Sequence, residues 1–406
     1  MTTTIDNEQK TLNVPNLRFP EFEGEWEKKR LGDFTERVKR KNKYNLSKLP
    51  LTISAKYGLV DQITFFNKIV ASTDMSNYYL LKKGEFAYNK SYSNDYPWGA
   101  IKRLDNYEQG VLSALYICFT TQDNVESDFI LQYFESPKWH KSVSEIAVEG
   151  ARNHGLLNIS VQDFFQTYHY VPKEKKEQTK IATLLHLIDE RISTQNKIIE
   201  DLKKLKSAII EWHYGQVEKQ NVCIGDLGEP FNVGNLAKED LTETGMPCVI
   251  YGELFTTYGE TISQIESHTN KAEGMILSKK GDLLFPSSTT VDAMSLIAPS
   301  VINVDGVILG GDMFGIHITP NSNAQYLSYY FNHIAKRQLA KFAKGSTIIH
   351  LHYADIEKAK LLLPSLEEQN RMANCLISLD TKINIESIFI SLLNSQKAYL
   401  LRQMFI

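Results

Sequence analysis

An internal duplication constrains this chain more than any other feature. Val171 to Asp189 reads VPKEKKEQTKIATLLHLID and Leu363 to Asp380 reads LPSLEEQNRMANCLISLD; from the shared Glu-Gln pair onward the copies run without a gap, 191 positions apart. Each copy opens a long amphipathic segment. A repeat of this length has to be read before local propensity, because it sets the number of structural units. With 406 residues, two or three domains are expected at about 100 to 200 residues each, and the repeat makes two the natural count.

The duplication extends over whole half-molecules. Leu31-Gly32-Asp33 answers to Ile224-Gly225-Asp226, and Lys82-Lys83-Gly84 answers to Lys279-Lys280-Gly281. Around these anchors, short runs rich in aromatic and β-branched residues alternate with Gly, Asn and Asp, the pattern of strands and turns. Tyr78 to Ser91 and Gly110 to Thr120 are such runs in the first half; Ile276 to Ser288 and Val307 to Thr319 are their counterparts in the second. Asp128 to Ser136 reads as a short helix. Between the anchors, KRKNKYNLSKLPLTISAKYG has little in common with PFNVGNLAKEDLTETGMPCVIYG. A common scaffold carrying two different surfaces is the arrangement this predicts.

The long segments keep a heptad rhythm. Ile181, Leu185, Ile188, Ile192, Gln195, Ile199, Leu202, Lys206 and Ile209 advance by alternating steps of four and three, and so do Met372, Leu376, Leu379, Ile383, Glu386, Ile390, Leu393, Lys397 and Leu400. Each predicts a helix of roughly 38 residues, about 57 Å long. Helices this long need a partner, and the most compatible partner for each is the other. Gln195, Glu386, Lys206 and Lys397 break the apolar seam at equivalent places, as register-setting groups or as tolerated polarity. Leu184, Ile198, Leu205 and Trp212, with Cys375 and Phe389, widen the apolar face toward the globular parts or a partner protein. Ser365 and Glu368 have the spacing of a capping box, while Glu174 and Glu177 bring negative charge to the first helix start.

These paired proline, Glu-Gln and aspartate patterns, with Leu31-Gly32-Asp33 and Ile224-Gly225-Asp226 opening the halves, resemble the DNA-specificity subunit of type I restriction-modification systems. The resemblance runs from about Trp26 to the C-terminus. It implies an α+β fold in which two mixed α/β target-recognition domains are separated by two long antiparallel coiled-coil helices related by a pseudo-twofold repeat. Its parts are an N-terminal extension (1–25), a first recognition domain (26–155), a first spacer helix (172–213), a second recognition domain (222–347) and a second spacer helix (365–403). The resemblance further implies double-stranded DNA as ligand and a bipartite, asymmetric site, with two modification subunits as partners. Those partners carry S-adenosylmethionine and methylate adenine, and motor-nuclease subunits using ATP and Mg2+ complete a restriction complex. No cofactor is expected in this chain.

Formal net charge is only −3, so attraction to a polyanion must come from local patches. The densest is Lys28 to Lys48, within which Lys39, Arg40, Lys41 and Lys43 are candidate phosphate contacts, extended by Lys56. A solubilising face is the competing reading. Lys90, Tyr92 and Asn94 lie in a polar-aromatic loop that suits either a DNA approach or an anchor to the core. Arg152 and Asn153 precede the first long helix, and Lys344 and Ser346 hold the matching place before the second. Ser288, Thr289 and Lys341 complete the candidates in the second half. For the helix–helix or partner interface the candidates are Ile181, Leu185, Ile188, Ile192, Ile199, Leu202, Met372, Leu376, Leu379, Ile383, Ile390 and Leu393.

Several function classes lack their marks. The four cysteines form no CxxC pair and the histidines no metal-ligand spacing. Phosphate-cradling, nucleophile-elbow and dinucleotide motifs are missing as well. No run of 18 apolar residues and no secretory leader occurs, so a cytoplasmic protein without a membrane segment is expected. The expectation is a non-catalytic reader of DNA that directs partner enzymes, with a bivalent protein–protein scaffold as the alternative.

Overall fold

The computed structural model describes residues 12–54, 57–68, 71–147 and 155–406. The chain divides into two compact units, Met1–Gln195 with Phe389–Ile406 and Asn196–Ile388. Each unit contains a sheet-rich domain, the start of one long helix and the end of the other. The first long helix spans Lys175–Gln216 and the second Leu366–Gln403, 42 and 38 residues.

In the first unit, an antiparallel sheet is ordered Thr35–Arg37, Ile117–Thr121, Phe86–Asn89 and Ala100–Arg103. Phe86 and Phe119 face each other across neighbouring strands and stack at 5.2 Å. The helix Ser127–Glu135 packs Phe129, Ile130 and Phe134 into the same core, which also takes in Ile181, Leu185 and Leu400 from the long helices and Phe405 just beyond the end of the second. In the second unit the corresponding order is Gly228–Asn232, Met313–Ile318, Asp282–Pro286, Ser300–Ile302 and Thr261–Ile262. There Phe285 and Phe314 form the cross-strand stack, at 5.1 Å. Ala324–His333 is the matching helix, and Met372 and Leu376 join its core. A second five-stranded sheet, built around Met246–Ile250 and Ile308–Gly310, enlarges this domain.

The repeated motifs do the same local work in both units. Asp33 and Asp226 each close a single 3-10 turn by accepting from the backbone N–H three residues earlier, Arg30 at 2.8 Å and Cys223 at 3.2 Å. Gly84 and Gly281 take φ of +87° and +93°, a region that suits glycine, in turns whose following carboxylates, Glu85 and Asp282, accept from Lys82 and Lys279. The strand Glu27–Arg30 pairs with Tyr168–Val171, and Gln220–Cys223 pairs with Lys360–Leu363. Each long helix is therefore entered from a strand already fixed to the beginning of its own half.

The Glu-Gln pair explains why both helices begin where they do. Gln178 donates to Pro172 O at 2.9 Å and accepts from Glu126 N at 2.8 Å. Gln369 repeats both bonds, to Pro364 O at 2.9 Å and from Asn323 N at 2.9 Å. Glu126 and Asn323 are the N-cap residues of the short domain helices. One buried amide thus ties the start of a long helix to the start of a domain helix, and satisfies backbone groups that neither helix can pair internally.

Two expectations about helix entry need correction. Ser365 does accept from Glu368 N, at 3.4 Å, but the Glu368 carboxylate is held by His213 and Arg371 instead of turning back, so the capping box is half formed. Glu177 supplies more than charge at a helix end: it is 2% exposed and takes Arg18 at 2.7 Å and Trp26 Nε1 at 3.1 Å. A charged pair from a distant segment satisfies a buried carboxylate better than a single amide does.

Within each unit the long helices run antiparallel. In the second, Lys206 meets Asp380 and His213 meets Glu368, one number rising as the other falls. In the first, Lys397 meets Asp189 at 2.5 Å. The seam lysines are therefore buried or half-buried ion-pair partners, and the two pairs are images of each other under the repeat. All twelve seam candidates, from Ile181 to Leu393, are buried or half-buried. Deep in the first unit His169 accepts from Tyr133 OH through Nδ1. Its Nε2–H donates to Thr167 Oγ1, whose own proton goes to Phe164 O. This chain fixes one neutral tautomer. Burial pushes the ring pKa down to about 3.

Candidate nucleic-acid interface

The basic run of the first half folds into a surface whose members differ in freedom. Lys39, Lys43 and Lys48 are exposed. Arg40 is not directed outward: its guanidinium is held by Glu85 at 2.6 and 2.8 Å, beside the Gly84 turn that the second half repeats at Gly281. Lys41 donates to Asn77 O and lies 3.7 Å over the Tyr79 ring, while Arg37 donates to Tyr79 OH. The Arg40 charge is thus matched by Glu85, Lys41 contributes positive charge from a fixed, half-buried stem, and Lys39 and Lys43 contribute it from exposed ones. Lys28 and Arg30 lie over Tyr168.

The polar-aromatic loop divides similarly. Lys90 reaches inward to Ile159 O at 3.2 Å, and Tyr92 packs against the domain core with its N–H on Gly155 O. Asn94 and Tyr96 are exposed on the tip, where Ser93 and Tyr96 exchange backbone hydrogen bonds. Lys56, Arg152 and Asn153 lie outside the described residues.

The second domain brings most of its candidates to one place. Ser288–Thr289 and Ile349–His350 form a two-stranded ribbon, and Lys344 and His350 exchange backbone hydrogen bonds at 2.9 and 2.7 Å beyond it. Ser288 is buried and Thr289 half-buried, whereas Ser346 stands exposed on the tip. Gly345 makes the tip possible: at φ +120° a Cβ there would lie 2.0 Å from Ile348 O. Lys341 is exposed on the adjoining segment, and Lys344 pairs with Asp355 at 2.5 Å, which holds that carboxyl below its ordinary range.

Beside the ribbon opens a cleft of about 770 Å³ lined by Tyr251, Phe255, Tyr258, Glu260, Thr290 and Asn332 among others. Burial alone would raise the Glu260 pKa, but His333 at 3.0 Å and Lys206 at 3.1 Å hold it down to about 2. Glu260 is thus an ionised anchor between this domain and the first long helix. The sequence reading missed Tyr251, Phe255 and this triad, because nothing local in the chain signals that Lys206, Glu260 and His333 will meet. Among the described residues, no cluster of His, Cys, Asp and Glu could hold a metal, and no helix is long and apolar enough to cross a membrane.

Outside the seam, the long helices keep apolar side chains in solvent. Ile198, Leu205 and Trp212, spaced by seven, are 39%, 49% and 68% exposed. Ile377, Ile385 and Ile388 are exposed on the second helix. Leu184, one of the residues left between two roles by the sequence, packs into the first core instead, and Phe389 is half-buried beneath Arg191.

Residues 216–392 match the family described as type I restriction modification DNA specificity domain. A type I restriction enzyme specificity subunit of Methanocaldococcus jannaschii, MjaVIII, is 24% identical over 305 residues, 69% of each chain. Among solved structures, the type I restriction-modification S subunit from M. genitalium superposes with a TM-score of 0.57 over 97% of this chain and 99% of its own, at 15% identity. A chain from a study of complex assembly and conformational transition of the type I R-M system gives 0.56 over 94% and 97%, at 16% identity. The two sheet-rich domains and the long helices define a specificity-subunit fold. The chain is similar in fold, over nearly its whole length, to solved type I specificity subunits, and the specificity-domain match falls on residues 216–392.

Proposed function

We propose that this chain reads a bipartite, asymmetric double-stranded DNA site, one half by each sheet-rich domain, and directs adenine methylation by partner subunits. The observation that carries this reading is the duplicated scaffold with unlike surfaces. The same glutamine staple, the same Asp–Lys helix pair and the same antiparallel pairing, Ser91 with Leu156 and Ser288 with His350, recur in both units. The residues displayed around them differ, exposed Lys39, Lys43 and Lys48 in the first and a cleft lined by Tyr251, Phe255 and Thr290 in the second. Two unlike readers call for two unlike half-sites, where a symmetric dimer would call for a palindrome. Exposed lysines such as Lys39, Lys43 and Lys341 suit phosphates, and the hydroxyls of Thr289, Thr290 and Ser346 suit either phosphates or base edges.

The chemistry of methylation belongs to the partners in this reading. S-adenosylmethionine sits in two modification subunits, and ATP and Mg2+ in motor-nuclease subunits where a restriction complex forms; the place of action is the cytoplasm. The exposed heptad row Ile198, Leu205 and Trp212 supports docking of those partners, since a long helix with apolar residues on a second face has more to bury than its seam. The test is the methylation pattern written by the modification subunit with and without this chain. A non-enzymatic scaffold would leave that pattern unchanged.

A further inference from the structure

The end of the second-domain ribbon presents two apolar side chains to solvent, Val291 at 71% and Ile348 at 49% exposure. Thr289 pairs with Ile349 at the last step of the antiparallel ribbon, and Ile348 and Val291 follow just beyond that pair, one on each strand. Both line the mouth of the cleft. The backbone beneath them is held by the Lys344–His350 hydrogen bonds and the Gly345 turn, which leaves Ile348 little freedom to withdraw. Their immediate neighbours are the short hydroxyl side chains of Thr290, Ser346 and Thr347, all exposed.

The surroundings fit DNA. Arg337 and Lys341 stand exposed on the segment Lys336–Phe342, which packs against the helix Ala293–Leu296 directly after Val291. The nearest carboxylate in sequence, Asp292, is committed to capping that helix through Ser295 N at 2.7 Å. A two-stranded ribbon fits the major groove, and the one apolar group displayed there is the 5-methyl of thymine. Hydroxyls to either side suit the neighbouring donors and acceptors.

Resting on the DNA-reading function above, we propose that Val291 and Ile348, at the mouth of one cleft, form a notch for the 5-methyl group of one particular thymine in the half-site read by the second domain. The reconstituted complex of this chain with its modification subunits tests this. Its recognition duplex is prepared with each thymine replaced in turn by deoxyuridine, which removes the methyl and nothing else. Dissociation constants are measured for the natural chain and for V291A/I348A, both positions being exposed enough to leave folding intact. At one thymine, deoxyuridine weakens binding by the natural chain about fourfold, the ~0.8 kcal/mol of one buried methyl-sized group, and V291A/I348A is indifferent to the same change. Specific binding that no deoxyuridine alters by more than about 1.5-fold, or an equal response by both chains at every thymine, overturns the notch while leaving DNA reading in place. An assembled complex without preference for any duplex overturns DNA reading and the notch together.

Discussion

Replacing Lys206 by Met should cost the second unit far more than the equivalent Lys397→Met costs the first. The two positions match under the repeat and each faces the aspartate of the opposite helix, yet their surroundings differ. Lys206 is 6% exposed, with Asp380 at 2.6 Å, Glu260 at 3.1 Å and the Tyr329 ring 4.7 Å away. Asp380 also accepts from Tyr329 OH at 2.6 Å, so the carboxylate cannot swing into solvent without breaking a second bond. Removing the ammonium leaves the carboxylates of Asp380 and Glu260, 31% and 22% exposed, without their shared buried cation, and should cost about 3 kcal/mol, the lower end for a broken buried pair. Lys397 has Asp189 at 2.5 Å, with side-chain exposures of 18% and 37%, and water can take over much of its role. Its loss should cost about 1 kcal/mol, near the upper end for exposed pairs. Hydrogen-exchange mass spectrometry resolves the two units: the opening free energy of Asp282–Pro286 and Met313–Ile318 should fall by the larger amount in K206M, and that of Phe86–Asn89 by the smaller in K397M. Equal losses in the two variants, within about 0.5 kcal/mol, would refute the argument from burial. A K206M/D380L/E260Q chain should recover most of the loss, since paired removal leaves no orphaned charge.

Two further outcomes follow from buried groups. His169 is neutral when folded, with its pKa lowered from 6.5 to about 3 by burial, so the unfolded chain binds a proton first as pH falls. Stability of the first unit is then intact above about pH 6.5 and drops by about 1.4 kcal/mol per unit below it, about 2 kcal/mol by pH 5. The urea midpoint against pH should show this slope in the natural chain and lose it in His169→Gln; an unchanged slope contradicts the assignment. Gln369→Leu removes a partner from Asn323 N and Pro364 O together and should cost about 2–4 kcal/mol, and Gln178→Leu should cost a similar amount in the other unit. Thermal unfolding of both variants measures this, and a loss under 0.5 kcal/mol in either would deny the staple.

What the sequence made legible was whatever depends on period and repetition. The heptad steps located both long helices to within a few residues, because an apolar stripe at every third or fourth place has one regular solution. The Glu-Gln pair was visible as a signature, yet its function was not, since Gln178 finds Glu126 and Gln369 finds Asn323 only after the domain has folded. Charges were read least well. Arg40 looks like any other member of a basic run until Glu85 is brought against it, and Lys206 looks like a flaw in the seam until Asp380 and Glu260 surround it. Val291 and Ile348 pass for ordinary core residues in sequence, because hydrophobicity along a short strand says nothing about which end of the ribbon meets solvent.

The central claim is that two unlike domains on a duplicated scaffold choose where partner enzymes act. Genome-wide adenine methylation in a host expressing this chain with its modification subunit, compared with the modification subunit alone, tests it most directly. The account predicts one new methylated motif with two different half-sites at a fixed spacing. No new motif, once complex formation and S-adenosylmethionine supply are verified, or a palindromic motif, would contradict it.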